Sequence, residues 1–322
     1  MSDNLNNVLL VGTGNMAKEY VKVLDELDVS YKIIGNSKES VDKFQEETNK
    51  LAYRGGIEKY LNEEGSMNFK SAIISVNGSN LFKVADLLID AGVKKILIEK
   101  PGVIKFSEIN ALLGKAERKG ALIWVAYNRR FYVSVKEAQR IIEEDGGLKS
   151  VNFEFTEWQH VVKETKHPSD IKQKWFLMNS SHVVDLVFYL AGNPKEIHTQ
   201  KAGMLDWHHS GSIYAGSGIT ERGVIFTYQA NWEAPGRWGI ELLTEAHRLY
   251  LRPMEKLQVQ NIGSVQIEPY QIEDGIDLKF KAGLYDEVRA FLYEDIDIKR
   301  LCTLEEQKEH MKIYQEISGE EY

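Results

Sequence analysis

Short apolar runs alternate with helix-like stretches through the first 125 residues of this 322-residue chain. The first apolar run, at residues 8–11, ends in glycine, and residues 16–27 then place apolar side chains at helical spacing. Similar pairs of segments repeat up to residue 125. Consecutive parallel strands need long crossover connections, usually helices, whereas antiparallel strands need only a short turn. The alternation therefore predicts an α/β domain with a doubly wound parallel sheet over residues 1–125.

The pattern changes after residue 125. A helical stretch at 133–144 precedes a strand-like segment at 151–157, and a second helical stretch covers 179–191. Residues 196–267 are β-rich segments broken by glycine and asparagine, which favours antiparallel pairing. Helical patterns return at 283–294 and 304–317. We predict that residues 126–322 form an α+β domain with a largely antiparallel open sheet, whose C-terminal helices pack back toward the first domain.

Composition excludes several classes of protein. The formal net charge of -8 opposes binding to a phosphate backbone. No run approaches the ~18 apolar residues of a membrane-spanning helix, and residues 1–7 lack the basic-then-apolar order of a secretion signal. Cys302 is the single cysteine and the histidines lack zinc-ligand spacing. We therefore expect a cytoplasmic protein that binds a small molecule and no metal, nucleic acid or membrane.

A glycine-rich turn follows the first predicted strand. In the segment VGTGNMA at residues 11–17, Gly12 permits a tight turn and Gly14 allows the backbone to approach a pyrophosphate. The N-terminus of the next helix then offers unpaired N–H groups to phosphate. As a bare pattern this motif is often a chance turn, but its place in the first βα unit predicts a dinucleotide-binding Rossmann domain. We assign Gly12, Gly14, Asn15 and Met16 to the cofactor site.

The end of the second predicted strand lacks an acidic residue. NAD-binding domains usually carry Asp or Glu about 20 residues after the glycines, where it binds the ribose 2′-hydroxyl. This chain reads IIGNSK at residues 33–38 instead. Without the carboxylate a 2′-phosphate is not repelled, and Ser37 and Lys38 are suited to bind one. The other interpretation is a polar turn before a helix. We favour NADP over NAD as the cofactor.

Three further motifs carry a resemblance to a known family. EKP at residues 99–101 follows the fifth predicted strand, YNRRF at 127–131 follows the sixth, and SHVVD at 181–185 lies on a predicted helix. With the glycine turn, these resemble the Gfo/Idh/MocA oxidoreductases, relatives of glucose–fructose oxidoreductase and inositol dehydrogenase. The resemblance spans residues 8 to about 192. It implies an NAD(P)-dependent enzyme whose second domain binds substrate and forms homodimers or homotetramers.

Lys100 and His182 are the predicted acid/base residues. Pro101 favours an extended Lys100 at the carboxyl end of a strand, where open α/β sheets bind ligands. Desolvation beside a cationic nicotinamide would lower the pKa of this lysine. A lysine ending a strand is otherwise usually a surface residue, and a histidine on an apolar helix usually a core residue. The resemblance implies that His182 acts as general acid/base on a sugar-like substrate and that Lys100 assists it.

The remaining site assignments rest on position and on the resemblance. Many family members carry aspartate four residues before the helix histidine, but this chain has Met178, which cannot ionise. Asn179 beside it is suited to hydrogen-bond a substrate hydroxyl, and Asp185 to orient the imidazole. Aromatic residues beside Arg237 suit a sugar carrying a carboxylate or phosphate, or equally ordinary packing. The complete assignment is Val76 and Glu99 for the cofactor, with Tyr127, Arg130, Asn179, Asp185 and Arg237 for the substrate.

These observations predict hydride transfer between nicotinamide and a hydroxyl or carbonyl carbon of a sugar, polyol or nucleotide-linked sugar. Two alternatives stay open. A non-catalytic dinucleotide sensor would keep the glycine turn without needing both Lys100 and His182. A reductase of a non-sugar substrate, such as an imine or a linear tetrapyrrole, would have less use for the helix histidine.

Overall fold

The computed structural model describes residues 7–64, 69–294 and 296–322. Residues 7–64 and 69–128 contain six parallel strands and five α-helices. The strands are β1 (Asn7–Val11), β2 (Ser30–Gly35), β3 (Tyr53–Arg54), β4 (Ser71–Ile74), β5 (Lys95–Glu99) and β6 (Leu122–Ala126). The helices are α1 (Asn15–Glu26), α2 (Lys38–Thr48), α3 (Gly56–Glu64), α4 (Leu81–Asp90) and α5 (Phe106–Lys119).

The described residues after Asn128 contain the strands of a second sheet, one last short strand that joins the first sheet, and the other α-helices. Its strands are β7 (Ser150–Glu154), β8 (Pro194–Ala202), β9 (Ile213–Thr220), β10 (Ile225–Asn231), β11 (Gly239–Leu243), β12 (His247–Leu251), β13 (Gln258–Asn261), β14 (Glu268–Pro269) and β15 (Cys302–Thr303). Its α-helices are α6 (Val133–Glu144), α7 (Gln159–Glu164), α8 (Ser169–Lys172), α9 (Ser181–Ala191), α10 (Gly275–Lys279), α11 (Leu284–Tyr293) and α12 (Leu304–Ser318). No helix in these described ranges is long and apolar enough to cross a membrane.

The first sheet has the order β15-β6-β5-β4-β1-β2-β3. Strands β1 to β6 pair in parallel, and β15 joins the β6 edge antiparallel, with Cys302 opposite Val125. Residues at the centres of β1, β4 and β5 are fully buried, as expected for a sheet covered by helices on both faces. The strand order reverses between β1 and β4, so the β1–α1 turn lies at the switch point where such sheets bind ligands. This is the predicted doubly wound fold.

The second sheet has the order β14-β13-β12-β11-β7-β10-β9-β8. All of its neighbours pair antiparallel except β7 and β10, which are parallel. Alternate residues of β10 are buried and exposed, the pattern of a sheet with one covered face. Phe188 of α9 packs edge-on against Phe153 of β7, with ring centroids 6.2 Å apart. Helix α9 therefore covers this face, as the prediction of a largely antiparallel α+β domain requires.

The chain divides into two compact units. The first comprises residues up to Asn128 together with Lys279–Lys308, and the second comprises Arg129–Leu278 and Glu309–Tyr322. The sequence analysis placed the boundary after residue 125 and predicted that C-terminal helices pack back toward the first domain; in the structure residues 279–308 belong to the first unit. Helix α11 packs against α1, and Phe291 of α11 meets Trp124 of β6 edge-on at 5.9 Å.

Several elements of the fold have no counterpart in the sequence predictions. The short strands β3 and β15 each have only two residues, too few for a recognisable alternation. Helix α3 ends beside the undescribed residues 65–68. The helix predicted at 179–191 is two elements, because residues 176–180 form a π-helical turn before α9 begins at Ser181.

Candidate active site

The β1–α1 turn of the first unit is held on both sides by neighbouring strands. The amide of Gly12 donates to the Ile34 carbonyl at 2.8 Å, and the Ser75 amide donates to the Val11 carbonyl at 2.8 Å. Gly12 has φ +133°, and a Cβ there would lie 2.0 Å from the Ser75 carbonyl oxygen. Only glycine fits both the backbone conformation and the space.

Gly14 differs from Gly12 because it borders open space. A Cβ at Gly14 would meet no heavy atom within 4 Å, and Gly14 is exposed. It is the N-cap of α1 and, within the described ranges, no side chain caps that helix end or places an acid in its first turn. The orphan N–H groups beside Asn15 and Met16 therefore face solvent with the positive end of the helix dipole. This cradle fits the pyrophosphate of a dinucleotide, which would be held here by Gly14, Asn15 and Met16.

The end of β2 carries the predicted 2′-phosphate residues. Ser37 is the N-cap of α2, where its Oγ accepts from the Ser40 amide at 3.2 Å. Its hydroxyl also donates to Ser40 Oγ at 3.0 Å, so in this structure Ser37 caps the helix, which fits the interpretation of a polar turn before a helix. Lys38 is exposed in the first turn of α2. The roles of Ser37 and Lys38 toward a phosphate stay predictions.

Glu99, assigned to the cofactor site, has a partner inside the first unit. Tyr20 of α1 donates from its hydroxyl to Glu99 Oε1 at 2.8 Å. Burial raises the pKa of Glu99, against the opposing effects of Tyr20 and Lys100. The same enclosure and the nearby Glu99 raise the pKa of Tyr20. This pair ties α1 to the end of β5, while Val76, two residues past β4, is partly exposed. The cofactor roles of Glu99 and Val76 stay predictions.

Lys100 follows β5 directly. It is partly buried, and the Lys100–Pro101 peptide is cis. The Pro101 carbonyl accepts a hydrogen bond of 2.8 Å from the Gln307 side chain, which comes from the returning segment of the first unit. Lys100 thus stands at the carboxyl edge of the parallel sheet, the edge that also carries the glycine turn.

His182 lies in the first turn of α9 in the second unit. Only 6 % of His182 is exposed, and its ring centroid lies 6.2 Å from that of Trp238. Met178 and Asn179 precede it in the π-helical turn at 176–180. Irregular helical turns of this type recur at functional sites. Lys100 and His182 belong to different units, and their joint catalytic role stays a prediction.

A buried carboxylate, Glu157, lies among the residues that precede α9. Both Glu157 oxygens accept from the Asn179 amide at 3.0 Å, Oε1 accepts from the Ser180 hydroxyl at 2.8 Å, and Oε2 accepts from Arg237 at 3.0 Å. The Glu157 side chain is 1 % exposed. Its burial raises its pKa, with Arg237 the largest opposing influence. Asn179, predicted to face substrate, is thus committed through its amide nitrogen to Glu157.

Arg237 stands between two indole rings. Its guanidinium carbon lies 4.9 Å from the Trp158 ring centroid and 4.4 Å from that of Trp238. The Trp158 indole N–H donates to the Gly236 carbonyl at 2.9 Å, which fixes that ring. A second guanidinium, that of Arg129, lies 4.8 Å from the Trp238 ring centroid. The sequence singled out Arg237, and the structure adds its partners.

Arg130 and Asp185 pair with each other in the interior of the second unit. Arg130 Nε donates to Asp185 Oδ2 at 2.8 Å and Nη2 to Oδ1 at 2.6 Å, with side chains 1 % and 0 % exposed. His310 Nδ1 lies 3.1 Å from Asp185 Oδ1. Burial by itself would raise the pKa of Asp185, but the Arg130 charge and these hydrogen bonds lower it. This bidentate pair supports a structural role for both residues in place of the predicted substrate contacts.

Tyr127 also lies in the interior, with 1 % of its surface exposed. The neighbouring Asn128 donates to the Ala282 carbonyl at 2.8 Å, within the first unit. Tyr127 therefore forms part of the core of this unit, and its predicted substrate contact finds no support in its burial.

The C-terminal residues brace the π-helical turn of the second unit. Glu320 accepts from the backbone amides of Phe176 at 2.7 Å and Leu177 at 3.2 Å. His208 Nε2 lies 2.7 Å from the same carboxylate, and both side chains are buried. Glu320 thus satisfies amides at the start of the turn that carries Asn179. No local sequence signal marks this contact, because its partners are more than 100 residues apart.

A doubly wound domain with a glycine turn at its switch point, followed by a largely antiparallel α+β unit, is the architecture of a two-domain protein with a dinucleotide-binding fold. Residues 6–127 match the sequence model of the oxidoreductase family with an NAD-binding Rossmann fold, GFO_IDH_MocA. The match confirms the predicted resemblance over the N-terminal domain, which holds the glycine turn and the EKP motif. Among curated proteins, none matches the chain by sequence.

Solved structures of similar fold cover nearly the whole chain. UDP-N-acetylglucosamine 3-dehydrogenase GnnA from Acidithiobacillus ferrooxidans is 14% identical with a TM-score of 0.75, covering 98% of this chain and 97% of that one. A putative NADPH-dependent oxidoreductase from Desulfitobacterium hafniense is 13% identical with a TM-score of 0.80, covering 98% and 95%. The WlbA dehydrogenase from Chromobacterium violaceum, in complex with NADH and UDP-GlcNAcA, is 15% identical with a TM-score of 0.72, covering 97% and 92%. At these identities the likeness is one of fold.

Proposed function

We propose that this protein is an NAD(P)-dependent oxidoreductase that moves a hydride between nicotinamide and a hydroxyl or carbonyl carbon of a sugar, polyol or nucleotide-linked sugar. The observation that carries the proposal is the β1–α1 turn. Its Gly12 admits no side chain, and its Gly14 opens onto an uncapped helix end. A pyrophosphate satisfies the orphan N–H groups of that helix end, and the matched family supplies the redox chemistry.

The bound cofactor would donate or accept the hydride, and the chain supplies orientation and proton transfer. His182 is the proposed general acid/base, since an imidazole exchanges protons near neutral pH. It takes the substrate hydroxyl proton on oxidation and returns it on reduction. Lys100, at the carboxyl end of β5, is proposed to assist by stabilising negative charge on that oxygen.

Nucleotide-linked sugars are the proposed substrate class. Two of the similar structures support this class, because one is a UDP-N-acetylglucosamine dehydrogenase and the other holds a UDP-sugar. NADP is the proposed cofactor because no carboxylate follows β2 at Asn36, where it would repel a 2′-phosphate, and Lys38 is exposed nearby. We further propose that the protein works as a homodimer or homotetramer in the cytoplasm.

The first experiment is a titration of NADPH against NADH on wild type and on Lys38→Glu. We expect a preference of at least tenfold for NADPH, about 1.4 kcal/mol, which Lys38→Glu removes. Lys43→Glu is the matched control, since Lys43 is an exposed lysine of the same helix α2 one and a half turns further on. Equal binding of NADH would reject the NADP assignment, and binding of neither cofactor would reject the enzyme.

The second experiment separates an enzyme from a dinucleotide sensor. His182→Ala and Lys100→Met are assayed with a panel of sugars, polyols and UDP-sugars, and their cofactor affinity is titrated in parallel. We expect turnover to fall by a factor of roughly 10² or more while cofactor affinity changes little. A wild type that binds the cofactor but turns over none of these substrates would favour the sensor or the non-sugar reductase.

A further inference from the structure

The guanidinium of Arg237 is fixed in place before any ligand arrives. Trp158 and Trp238 stack on it at 4.9 and 4.4 Å, and Glu157 accepts from its Nη1 at 3.0 Å. A free arginine side chain loses rotamer entropy when it is immobilised. In this protein the contacts within the second unit already immobilise Arg237. A ligand that binds its guanidinium therefore loses less entropy on binding.

One edge of Arg237 remains available to a ligand. Its side chain is 42 % exposed, whereas that of Glu157 is 1 % exposed. Within the described ranges, Arg237 donates one N–H hydrogen bond, to the Glu157 carboxylate. A guanidinium carries five N–H donors in a planar fork that matches carboxylate and phosphate oxygens. The remaining donors point to an acceptor supplied from outside the chain.

Neutralising Glu157 explains only part of this arrangement. Glu157 already accepts three hydrogen bonds from Asn179 and Ser180, so Arg237 chiefly balances its charge. That role would be served equally by an arginine buried with it. The exposure of the arginine, and its position between two tryptophans with Trp158 itself 49% exposed, suit a group that also faces a ligand.

The surrounding charges leave an excess of positive charge. Arg129 also stacks on Trp238, at 4.8 Å, and no carboxylate pairs with it within the described ranges. Its Nε is buried without a hydrogen-bond partner. Two guanidinium groups therefore share one indole, that of Trp238, and Glu157 is the carboxylate bound to one of them. By formal charge, two cations and one anion leave an excess of one positive charge, which a monoanion would balance.

We infer that Arg237 binds the carboxylate of a sugar acid, so that the protein distinguishes uronic acids from neutral sugars. This inference rests on the proposed function and deepens it by naming the substrate class. Trp158, which is 49% exposed, presents apolar surface suited to a sugar ring beside the carboxylate, whereas Trp238 is buried and holds the arginine in place. The carboxylate is favoured over a diphosphate because one negative charge matches the cluster. His182, whose ring lies 6.2 Å from Trp238, borders the same group of residues.

The test measures binding of matched neutral and acidic sugars by isothermal titration calorimetry, with and without saturating NADPH or NADH. The pairs are glucose with glucuronate, galactose with galacturonate, and UDP-N-acetylglucosamine with its C6 acid. We expect at least one acid to bind ten times or more tighter than its neutral partner. Arg237→Gln should reduce that ratio to within twofold, and Arg237→Lys should restore only part of it, because lysine keeps the charge but not the fork.

Arg248→Gln is the matched control. Arg248 pairs with Glu241 and lies 5.5 Å from the Tyr250 ring centroid, so it too is an arginine between a carboxylate and an aromatic ring of this sheet. It should leave the ratio unchanged. A circular dichroism melt of each variant shows whether the second unit still folds, and Arg237→Lys keeps the test valid if Arg237→Gln unfolds.

Several outcomes would overturn the inference. One is that no acidic sugar of the three pairs binds, or that none binds more tightly than its neutral partner. Another is that the preference for the acid survives in Arg237→Gln. A third is that Arg248→Gln reduces this preference as much as Arg237→Gln does. Loss of UDP binding alone in Arg237→Gln would identify phosphate as the anion and also reject the sugar acid. Cofactor titration is independent of these results, so failure to bind NADPH and NADH rejects the proposed function without deciding the anion site.

Discussion

Replacing Asp185 by Asn distinguishes a structural ion pair from a substrate contact. Asp185 accepts both fork hydrogen bonds of Arg130, at 2.8 and 2.6 Å, and both side chains are essentially inaccessible to solvent. Asparagine keeps one acceptor oxygen but removes the negative charge. Arginine does not lose its proton in proteins, so the variant takes the charge of this bidentate partner away from a buried cation.

The expected cost is about 3–5 kcal/mol in the free energy of unfolding, the range for removing one partner of a buried pair. For a cooperative unit of this size each kcal/mol lowers the melting temperature by roughly 2–4 °C, so we expect a drop of roughly 6–20 °C. Adding Arg130→Met to Asp185→Asn should recover much of the loss, since the double variant buries no charge. Asp274→Asn is the control, because Asp274 pairs with the exposed Lys256 and should cost under about 1 kcal/mol.

The pH dependence gives a second measure of the same pair. The native pKa of Asp185 is lowered below the unfolded value of about 3.9: burial, the largest single influence, raises it, but the Arg130 charge and the hydrogen bonds from Arg130 and His310 together outweigh burial. The stability that ionised Asp185 contributes is therefore complete above the unfolded pKa and is lost as pH falls through the native pKa. We expect the difference between wild type and Asp185→Asn to be constant from pH 5 to 8 and to narrow in more acidic solution.

The assay is denaturant unfolding followed by circular dichroism across this pH range. A cost below about 1 kcal/mol, equal to that of the Asp274 control, would refute a structural pair. So would a double variant less stable than Asp185→Asn alone. Either result would favour the substrate-binding roles that the sequence analysis predicted for Asp185 and Arg130.

Four further variants test other parts of the two units. Gly12→Ala should unfold the first unit, or lower its melting temperature strongly, and abolish cofactor binding. Gly14→Ala should leave the melting temperature unchanged and weaken cofactor binding by about tenfold or more. Equal destabilisation by the two variants would contradict the open space at Gly14. Tyr20→Phe removes the donor to enclosed Glu99 and should cost about 1–3 kcal/mol in a thermal melt, with an unaltered melt counting against the pair. Glu320→Gln should lower the free energy of unfolding by a similar amount. It should also slow proton transfer, measured as reduced turnover at unchanged cofactor affinity. Full turnover would show that Glu320 has no influence on the turn before α9.

The sequence predicted the layered fold because local patterns specify it. Buried parallel strands such as β4 and β5 are nearly continuous apolar runs, and the helices between them carry apolar residues at helical spacing. The helix α6 begins and ends where its spacing predicted, at Val133 and Glu144. The strand β15 escaped prediction because two residues carry no period, and its pairing with β6 depends on a chain reversal far away in sequence.

Single residues of the candidate site were harder to predict. The YNRRF motif offers two adjacent arginines, and sequence cannot say which one faces the interior. The structure pairs Arg130 with Asp185 and stacks Arg129 on Trp238. Glu157 gave no signal because it follows a strand by three residues and meets donors 22 to 80 positions later. The glycine turn was predictable because its chemistry lies within seven consecutive residues.

The return of residues 279–308 to the first unit sets an order for folding during synthesis. The edge of β6 and the face of α1 acquire β15 and α11 only after residues 129–278 have been translated. At 5–20 residues per second this interval is on the order of ten seconds. A nascent chain translated as far as Asn128 therefore holds a nearly complete Rossmann domain whose sheet is unpaired at the β6 edge, a surface open to wrong partners. The second unit interrupts the first in sequence, so the first unit is complete only when Lys308 has been translated.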